Sequence, residues 1–171
     1  MVIIGPESTG KSTLSKDLAA HYQTSWAPEY AREYLNMLQR DYRQDDLWEI
    51  AKGQLLQEEQ ASARACNKLL FCDTDLYVIK VWSEHKYHSC DLRILKEIAQ
   101  RKYDLYLLCY IDVPWEDDPQ RENPSPEMRQ YFYYIYHDIV LQAGIPWADI
   151  RGSRAERLSA AITAIEKIKN L

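Results

Sequence analysis

The sequence predicts a three-layer α/β domain in which a five-stranded parallel sheet lies between two layers of helices. Short apolar runs alternate five times with longer helix-like segments, and neither an internal repeat nor a low-complexity segment interrupts them. Strands that alternate with helices form parallel sheets, because each helix carries the chain back to the start of the next strand. The length of 171 residues fits one full hydrophobic core, so we predict a single domain over residues 1–171.

The first predicted strand and helix enclose a phosphate-binding motif. Val2 to Ile4 form an apolar, β-branched run typical of a buried strand, and Lys11 to Tyr22 continue as a helix. Residues 5–12 match G-x-x-x-x-G-K-S/T at every position, which predicts binding of a nucleoside triphosphate such as ATP and a P-loop NTPase fold. The ATP contacts predicted in this phosphate loop are Gly5, Glu7, Ser8, Thr9, Gly10, Lys11, Ser12 and Thr13.

The residue types of the phosphate loop suit its predicted ligand. Gly5 and Gly10 permit backbone angles that turn N–H groups toward an anion, and the following helix adds its positive dipole end. Lys11 is expected to reach the β- and γ-phosphates as a catalytic residue, and the Ser12 hydroxyl to bind Mg²⁺. Glu7 is an unexpected acid beside phosphates, so we expect its side chain to point to solvent or to a neighbouring base.

The second strand is predicted to be short and to lead directly into a helix. Ser25 to Ala27 form the strand, Pro28 closes it, and Glu29 to Leu35 are helical in composition. A long helix is predicted from about Asp45 to Asn67, since its apolar residues recur at steps of three and four. Glu29 is therefore expected at the end of the second strand.

Two further apolar runs lie in the middle of the chain. The first ends in Asp73, and the second is followed by Asp112. Such runs are typical of strands buried on both faces of a parallel sheet. The predicted elements are strand Leu69–Asp73, helix Asp75–Trp82, a polar break over Ser83–Ser89, helix Asp91–Arg101 and strand Leu105–Ile111.

Residues 113–126 differ in kind from the rest of the chain. They contain four prolines and mixed charges without periodicity, which predicts a mobile lid loop. The elements predicted after this lid are a helix capped by Ser125 that runs to about Ala143, strand Trp147–Ile150 and a closing helix Ser153–Lys169.

Four acids are expected at the carboxyl edge of the sheet, where ligands of parallel α/β sheets bind. Asp73 ends a strand of Walker B type and is expected to hold Mg²⁺ and to act in catalysis. Asp75 is either a helix cap or a ligand of substrate hydroxyls, and Asp112 is assigned to the substrate site. Glu29 is either the carboxylate that accepts the acceptor's proton or an acid favoured by the helix dipole. The sequence leaves open which of Glu29, Asp73 and Asp75 is the base.

Further candidates flank these acids. Arg32 lies one turn after Glu29 and is expected to pair with it or with phosphate. Arg121 in the lid either folds over the γ-phosphate as a catalytic residue or stays solvated, and Trp115 is either a pocket wall or a hinge anchor. Gly152 lies between the last strand and helix, where many P-loop kinases hold adenine by backbone contacts. The residues assigned to substrate binding are Glu29, Tyr30, Arg32, Asp75, Asp112 and Trp115.

The composition limits the partners of the protein. The 21 Lys and Arg residues against 26 Asp and Glu residues give a net charge of −5, so no nucleic-acid partner is expected. No apolar stretch approaches the roughly twenty residues that cross a bilayer. No signal peptide precedes the first strand, so we expect no membrane partner and a cytoplasmic location. The four cysteines lack metal-ligand spacing and are predicted to be free thiols, and the oligomeric state is left open, with a homo-oligomer possible.

Six features in order carry a resemblance to a known family. They are GPESTGKSTL, PEYAREYL, KGQLLQEE, LLFCDTD, YDLYLLCYIDVPWEDD and the later Arg121. Together they resemble the ribosylnicotinamide kinase domain of the bacterial bifunctional nicotinamide-nucleotide adenylyltransferase/ribosylnicotinamide kinase family. The likeness runs from Val2 to about Arg157. Two departures are that Pro28 stands where well-known members carry tryptophan, and Pro119 where their lid carries glycine.

This resemblance implies ATP- and Mg²⁺-dependent phosphorylation of the 5′-hydroxyl of nicotinamide riboside, a step of NAD biosynthesis. It implies that Glu29 or Asp75 contacts the nucleoside and that Asp118 and Arg121 belong to the lid. The departures leave two alternatives: a kinase of the same architecture for another nucleoside or nucleotide, and a regulatory ATP-binding switch or ATPase without a small-molecule acceptor.

Overall fold

A computed structural model describes residues 1–169 and confirms the predicted five-stranded parallel sheet flanked by helices. The strands are β1 (Val2–Ile4), β2 (Trp26–Ala27), β3 (Phe71–Asp73), β4 (Tyr106–Cys109) and β5 (Trp147–Ile150). The helices are α1 (Lys11–Tyr22), α2 (Tyr30–Met37), α3 (Gln44–Ala63), α4 (Leu76–Tyr87), α5 (Leu92–Gln100), α6 (Pro126–Gln142) and α7 (Arg154–Lys169). Within this part of the chain every helix is too short or too polar to span a bilayer. All four cysteines are free thiols, as predicted.

The sheet places β1 at its centre. The strand order is β2-β3-β1-β4-β5, and every neighbouring pair is parallel. Val2 pairs with Cys72 of β3 on one side and with Tyr106 of β4 on the other. The carboxyl ends of all five strands therefore meet at one edge, with the phosphate loop that follows β1 in the middle.

Each face of the sheet buries its own apolar core, which explains why the strands are apolar throughout. Val2 and Ile4 pack in the core that α6 covers, whereas Ile3 packs in the core that α1 and α7 cover. All three side chains are fully buried. A third core joins α3, α4 and α5 beside the sheet. These cores fix the helices that surround the carboxyl edge.

The helix α4 is longer than the sequence predicts. The predicted break over Ser83–Ser89 is wrong, since the helix continues to Tyr87 and ends at His88, whose φ is 57°. Ser83 is buried, and its hydroxyl donates a hydrogen bond of 2.7 Å to the carbonyl of Ser89. The polar side chain thus supports the end of the helix instead of interrupting it, and His85 stays on the helix.

Other element boundaries differ by a few residues. The helix α3 ends at Ala63, before the predicted Asn67, because Asn67 and Lys68 form a turn with φ of 56° and 58°. The strand β3 begins at Phe71 and β4 ends at Cys109, inside the longer apolar runs. These differences leave each predicted carboxylate at the carboxyl edge.

Candidate active site

The phosphate loop approaches the neighbouring strand more closely than a side chain would allow. Gly5 has a φ of +142°, and a β-carbon added there would lie 2.7 Å from the carbonyl oxygen of Cys109 in β4. Gly10 has a φ of +77° at the residue before α1. Both positions need the conformational freedom of glycine. The loop therefore adopts the turn into a helix that its sequence predicts.

Hydrogen bonds within the phosphate loop orient its side chains. The Thr9 hydroxyl and the Lys11 ammonium each donate a hydrogen bond of 2.8 Å to the carbonyl of Pro6. Thr9 is buried, whereas Lys11 is partly exposed and lines a cavity in front of the loop. The loop thus presents the Lys11 cation to that cavity.

The cavity in front of the phosphate loop has a volume of about 260 Å³ and is called here the acceptor cavity. Its polar wall combines the phosphate loop with Glu29, Arg32 and lid residues, among them Arg121. The part of its wall that comes from α4 and α6 is apolar and aromatic, and it is called the aromatic wall. That wall comprises Val78, Val81, Trp82, His85, Phe132 and Tyr136. The cavity therefore joins charged catalytic candidates to an aromatic surface.

Glu29 faces the acceptor cavity from the residue that precedes α2. Among the described residues its side chain makes no capping hydrogen bond to this helix, and its place before the first turn also fits the predicted alternative of an acid favoured by the helix dipole. Burial raises the pKa of Glu29, the nearby charge of Asp73 adds to this rise, and Lys11, Arg32 and Arg121 oppose it. A carboxylate with a raised pKa among cations is well suited to accept a proton.

Asp73 lies at the end of β3 and is almost fully buried. Burial raises its pKa, while a hydrogen bond from Ser12 and the charge of Lys11 oppose the rise. Within residues 1–169, no donor reaches its Oδ1 atom. A buried carboxylate oxygen without a partner, next to the hydroxyl of the phosphate loop, is a typical cation ligand.

Asp75 is the cap of α4. Its Oδ1 atom accepts a hydrogen bond of 2.9 Å from the backbone N–H of Tyr77, and its Oδ2 atom accepts one of 2.8 Å from the Tyr106 hydroxyl. Burial raises the pKa of Asp75 to about 7. Of the two predicted alternatives the structure favours the cap, since both oxygens are engaged outside the acceptor cavity wall.

The lid is tied to α2 and to the phosphate loop. Arg32 forms an ion pair of 2.7 Å with Asp118, a partner different from the predicted Glu29 or phosphate. Arg121 donates a hydrogen bond of 3.2 Å to the Ser8 hydroxyl and another to the carbonyl of Glu116. The lid therefore holds Arg121 over the phosphate loop, as one predicted alternative requires.

Trp115 takes the second of its two predicted roles, the anchor, whereas Tyr30 and Glu7 make contacts that the sequence did not indicate. The ring of Trp115 lies 5.8 Å from the guanidinium groups of both Arg121 and Arg129, so it anchors the lid outside the cavity wall. Tyr30 packs against α3. Glu7 points neither to solvent nor to a base, because its carboxylate accepts the N–H groups of two lid residues.

A second cavity of about 410 Å³ lies between the phosphate loop and α7. Gly152, Gly10 and Asp112 line it. Asp112 accepts a hydrogen bond of 2.7 Å from the N–H of Gly152 and pairs with Arg157, whose guanidinium also donates to the carbonyl of Thr9. Asp112 therefore braces the predicted adenine region and does not join Glu29 at the acceptor cavity, because β4 leads it toward α7.

The aromatic wall was missed by sequence reasoning. Val78, Val81, Trp82 and His85 follow the i, i+3, i+4, i+7 spacing of one helical face. The predicted break at Ser83 hid this pattern, because it removed His85 from the helix. The spacing itself was the available signal.

The fold and the phosphate loop together define the P-loop kinase class of folds. The family model described as AAA domain (AAA_28) matches residues 1–157, so the chain belongs to this family.

Two curated relatives are bacterial proteins named trifunctional NAD biosynthesis/regulator protein NadR. The protein from Salmonella typhimurium (strain LT2) is 26% identical over 176 residues, and the one from Escherichia coli (strain K12) is 27% identical. The matches cover all of this chain and 42% of each relative, so the chain spans about two fifths of their length. This relationship confirms the resemblance predicted from the motifs.

Solved structures show the same fold. A NadR protein in complex with NR has a TM-score of 0.81 at 24% identity, over 99% of this chain and 51% of that one. A NadR protein in complex with NAD and AMP-PNP has a TM-score of 0.76 at 24% identity, over 99% of this chain and 49% of that one. Deoxyadenosine kinase from M. mycoides has a TM-score of 0.58 at 10% identity, over 98% and 100% of the two chains.

Proposed function

We propose that the protein is an ATP-dependent kinase that phosphorylates the 5′-hydroxyl of nicotinamide riboside and gives nicotinamide mononucleotide. The observation that carries this proposal is that Lys11, Glu29 and Arg121 line the same cavity as an aromatic wall. Phosphoryl transfer needs cations for the phosphate charge and a carboxylate for the acceptor hydroxyl. The phosphate loop, the carboxylate and the acceptor surface are adjacent here.

The two cavities suit two substrates. The second cavity, beside Gly10 and Gly152, suits the adenosine part of ATP, and the phosphate loop between the cavities suits its phosphates. The acceptor cavity then receives the nucleoside with its hydroxyl toward Glu29. In this arrangement Glu29 orients the hydroxyl and accepts its proton, while Lys11 and Arg121 stabilise the charge of the transferred phosphoryl group. The lid excludes water and so limits hydrolysis of ATP.

The residues present fit a Mg²⁺ ion. Asp73 carries a buried oxygen without a partner among the described residues, and the Ser12 hydroxyl is its hydrogen-bonding neighbour. We propose these two residues as its protein ligands, directly or through water. When bound, Mg²⁺ neutralises phosphate charge during transfer.

The aromatic wall supports nicotinamide riboside as the acceptor. Its nicotinamide ring is a pyridinium cation, and rings such as Trp82, Phe132 and Tyr136 attract a cation across their faces. A NadR protein of the same fold is described in complex with NR. We further propose that this chemistry takes place in the cytoplasm, on a small molecule and without a nucleic-acid partner.

A second candidate is a kinase for another nucleoside. Pro28 stands beside Glu29 where well-known members of the family carry tryptophan, which changes the surroundings of the acceptor hydroxyl. The aromatic wall also accepts neutral bases by stacking. A comparison of nucleosides as acceptors therefore distinguishes the two candidate functions.

The test is the release of ADP from ATP and Mg²⁺ with a panel of nucleosides that includes nicotinamide riboside. We expect nicotinamide riboside to stimulate release most strongly. The Lys11→Ala variant removes activity of the protein itself and exposes contaminating kinases, and Lys52→Ala on the exposed face of α3 is its matched control. Strongest stimulation by another nucleoside would favour the second candidate, and release indifferent to every acceptor would overturn both.

A further inference from the structure

The lid residue Glu122 is bound to the phosphate loop through its backbone. Its N–H group lies 3.3 Å and 3.2 Å from the two carboxylate oxygens of Glu7, and the N–H group of Asn123 lies 3.0 Å from Glu7 Oε2. Arg121 directly precedes this point of attachment. The carboxylate of Glu7 therefore fixes the part of the lid that carries the catalytic cation.

The side chain of Glu122 points the other way, to α4. Its carboxylate accepts a hydrogen bond of 2.9 Å from the Tyr42 hydroxyl and an ion-pair contact of 2.9 Å from Lys86. Tyr42 lies in the segment between α2 and α3, and the Lys86 ammonium lies 3.8 Å above its ring. One residue of the lid thus contacts both the phosphate loop and the helix of the aromatic wall.

Tyr42 continues this connection into the acceptor cavity. Its hydroxyl accepts a hydrogen bond of 2.6 Å from the indole N–H of Trp82, which lines the cavity. A second donor to the same oxygen is Lys86. The hydroxyl therefore uses its single proton for Glu122 and both lone pairs for α4. Trp82, Tyr42, Glu122 and Glu7 form a continuous path from the acceptor wall to the phosphate loop.

We propose that Glu122 is a positioning residue that couples occupation of the acceptor cavity to closure of the lid over the phosphate loop. An acceptor that packs against Trp82 holds the indole in place, and Tyr42 then favours the lid position in which Glu7 binds the N–H groups of residues 122 and 123. The lid position of the structure, in which Arg121 lies over the phosphate loop, is thereby stabilised further when an acceptor occupies the cavity. The inference rests on the proposed kinase function and adds a physical link between acceptor binding and the position of the lid.

The strength of each contact of Glu122 determines how strongly the loss of that contact is expected to weaken the coupling. The pair of Glu122 with Lys86 is exposed, with about two fifths of each side chain accessible, so water screens it. Within residues 1–169, the Tyr42 hydroxyl is the one group that joins Glu122 to Trp82. Tyr42→Phe is therefore expected to act more strongly than Lys86→Met, although it removes a single atom.

The experiment measures how a nonhydrolysable ATP analogue changes the affinity for nicotinamide riboside. In the wild type we expect the analogue to tighten acceptor binding, and in Tyr42→Phe and Glu122→Ala we expect this tightening to fall by about threefold or more. The affinity for the analogue alone should stay unchanged. Glu122→Gln keeps an acceptor for Tyr42 and should retain more of the tightening than Glu122→Ala. The matched control is Tyr134→Phe, whose hydroxyl is exposed on α6.

A second measurement separates this inference from the kinase proposal. Hydrogen exchange of the amides of residues 122 and 123 is followed with the ATP analogue bound, and we expect faster exchange in Tyr42→Phe than in the wild type or Tyr134→Phe. If Tyr42→Phe exchanges faster but the wild type does not bind nicotinamide riboside, the proposed acceptor is overturned and the link between Tyr42 and the lid is retained. Wild-type tightening and wild-type exchange in Tyr42→Phe would overturn the coupling, whatever the acceptor.

Discussion

Gly53 of α3 lies directly against the ring of Tyr30, the first residue of α2. A β-carbon added at Gly53 would lie 1.9 Å from Tyr30 Cε1, which no real contact allows. The next residue, Gln54, accepts a hydrogen bond of 2.9 Å from the N–H of Tyr30. The helix α3 therefore fixes the start of α2, and with it the position of Glu29 at the acceptor cavity.

Because of the contact between Gly53 and Tyr30, we expect Gly53→Ala to destabilise the protein, although the same substitution usually stabilises a helix. Gly to Ala inside a helix ordinarily stabilises by about 1 kcal/mol. At Gly53 the clash is expected to cost about 1–3 kcal/mol, so Gly53→Ala should lower the free energy of unfolding and reduce activity. Chemical denaturation and steady-state rates measure both. Removing the ring in a Gly53→Ala/Tyr30→Ala double variant should restore stability, and a stabilised single variant would contradict the account.

Glu29 is predicted to be the base. Glu29→Gln should lower kcat by about 10²–10⁴-fold and leave ATP binding intact, because it removes the proton acceptor but keeps the shape. The raised pKa of Glu29 predicts that the wild-type rate climbs with pH as its carboxyl ionises, above the ordinary 4.5. The variant should lack this rise. Glu33→Gln, on the exposed face of α2, is the control, and a kcat of Glu29→Gln close to wild type would assign the base elsewhere.

Arg121 is predicted to stabilise the transferred phosphoryl group. Arg121→Ala should lower kcat by about 10²–10³-fold with a smaller effect on the KM for the acceptor. Arg121→Lys should be intermediate, since lysine keeps the charge but loses the planar fork that reaches Ser8. Arg64→Ala, exposed at the end of α3, serves as the control. An unchanged kcat in Arg121→Ala would show that the arginine only closes the lid.

Asp46 is predicted to make the stability of α3 depend on pH. Its carboxylate accepts hydrogen bonds from the Arg40 guanidinium, the N–H of Arg43 and the Tyr34 hydroxyl. The bonds from Arg40 above all hold the pKa of Asp46 well below its usual 3.8. A lowered pKa means that the stabilisation is present above about pH 4 and is lost as the pH falls toward the folded-state pKa.

Asp46→Asn should therefore lower the free energy of unfolding by roughly 1–2 kcal/mol at pH 7, the size expected for a helix-capping contact. The difference from the wild type should shrink below pH 4. Urea denaturation across this range measures it, with the exposed Asp41→Asn as the control. A difference that does not vary with pH would contradict the assigned protonation state.

The sequence predicts best those parts of the site that are set by local chain geometry. The phosphate loop and Asp73 follow from the order of strand, turn and helix, because a few neighbouring residues determine them. The sheet follows from the alternation of apolar runs with helices. Gly152 reaches its cavity for the same reason, since it lies two residues after the end of β5.

The remaining contacts join distant segments, and no local pattern encodes them. Arg32 meets Asp118 across 86 residues, and Glu7 meets Glu122 across 115. Each of these charged residues is also typical of a solvated surface. Helical periodicity could have identified the aromatic wall. The polar residues after Trp82 instead predicted a break in the helix, whereas Ser83 is buried and the helix continues past it.

The central claim is that this protein transfers a phosphoryl group from ATP to the 5′-hydroxyl of nicotinamide riboside. The most direct test incubates the protein with ATP, Mg²⁺ and nicotinamide riboside and identifies the product by mass spectrometry and phosphorus NMR, with Lys11→Ala in parallel. The account predicts nicotinamide mononucleotide and ADP in equal amounts, formed by the wild type alone. Recovery of unmodified nicotinamide riboside, while ATP is consumed or remains intact, would contradict it.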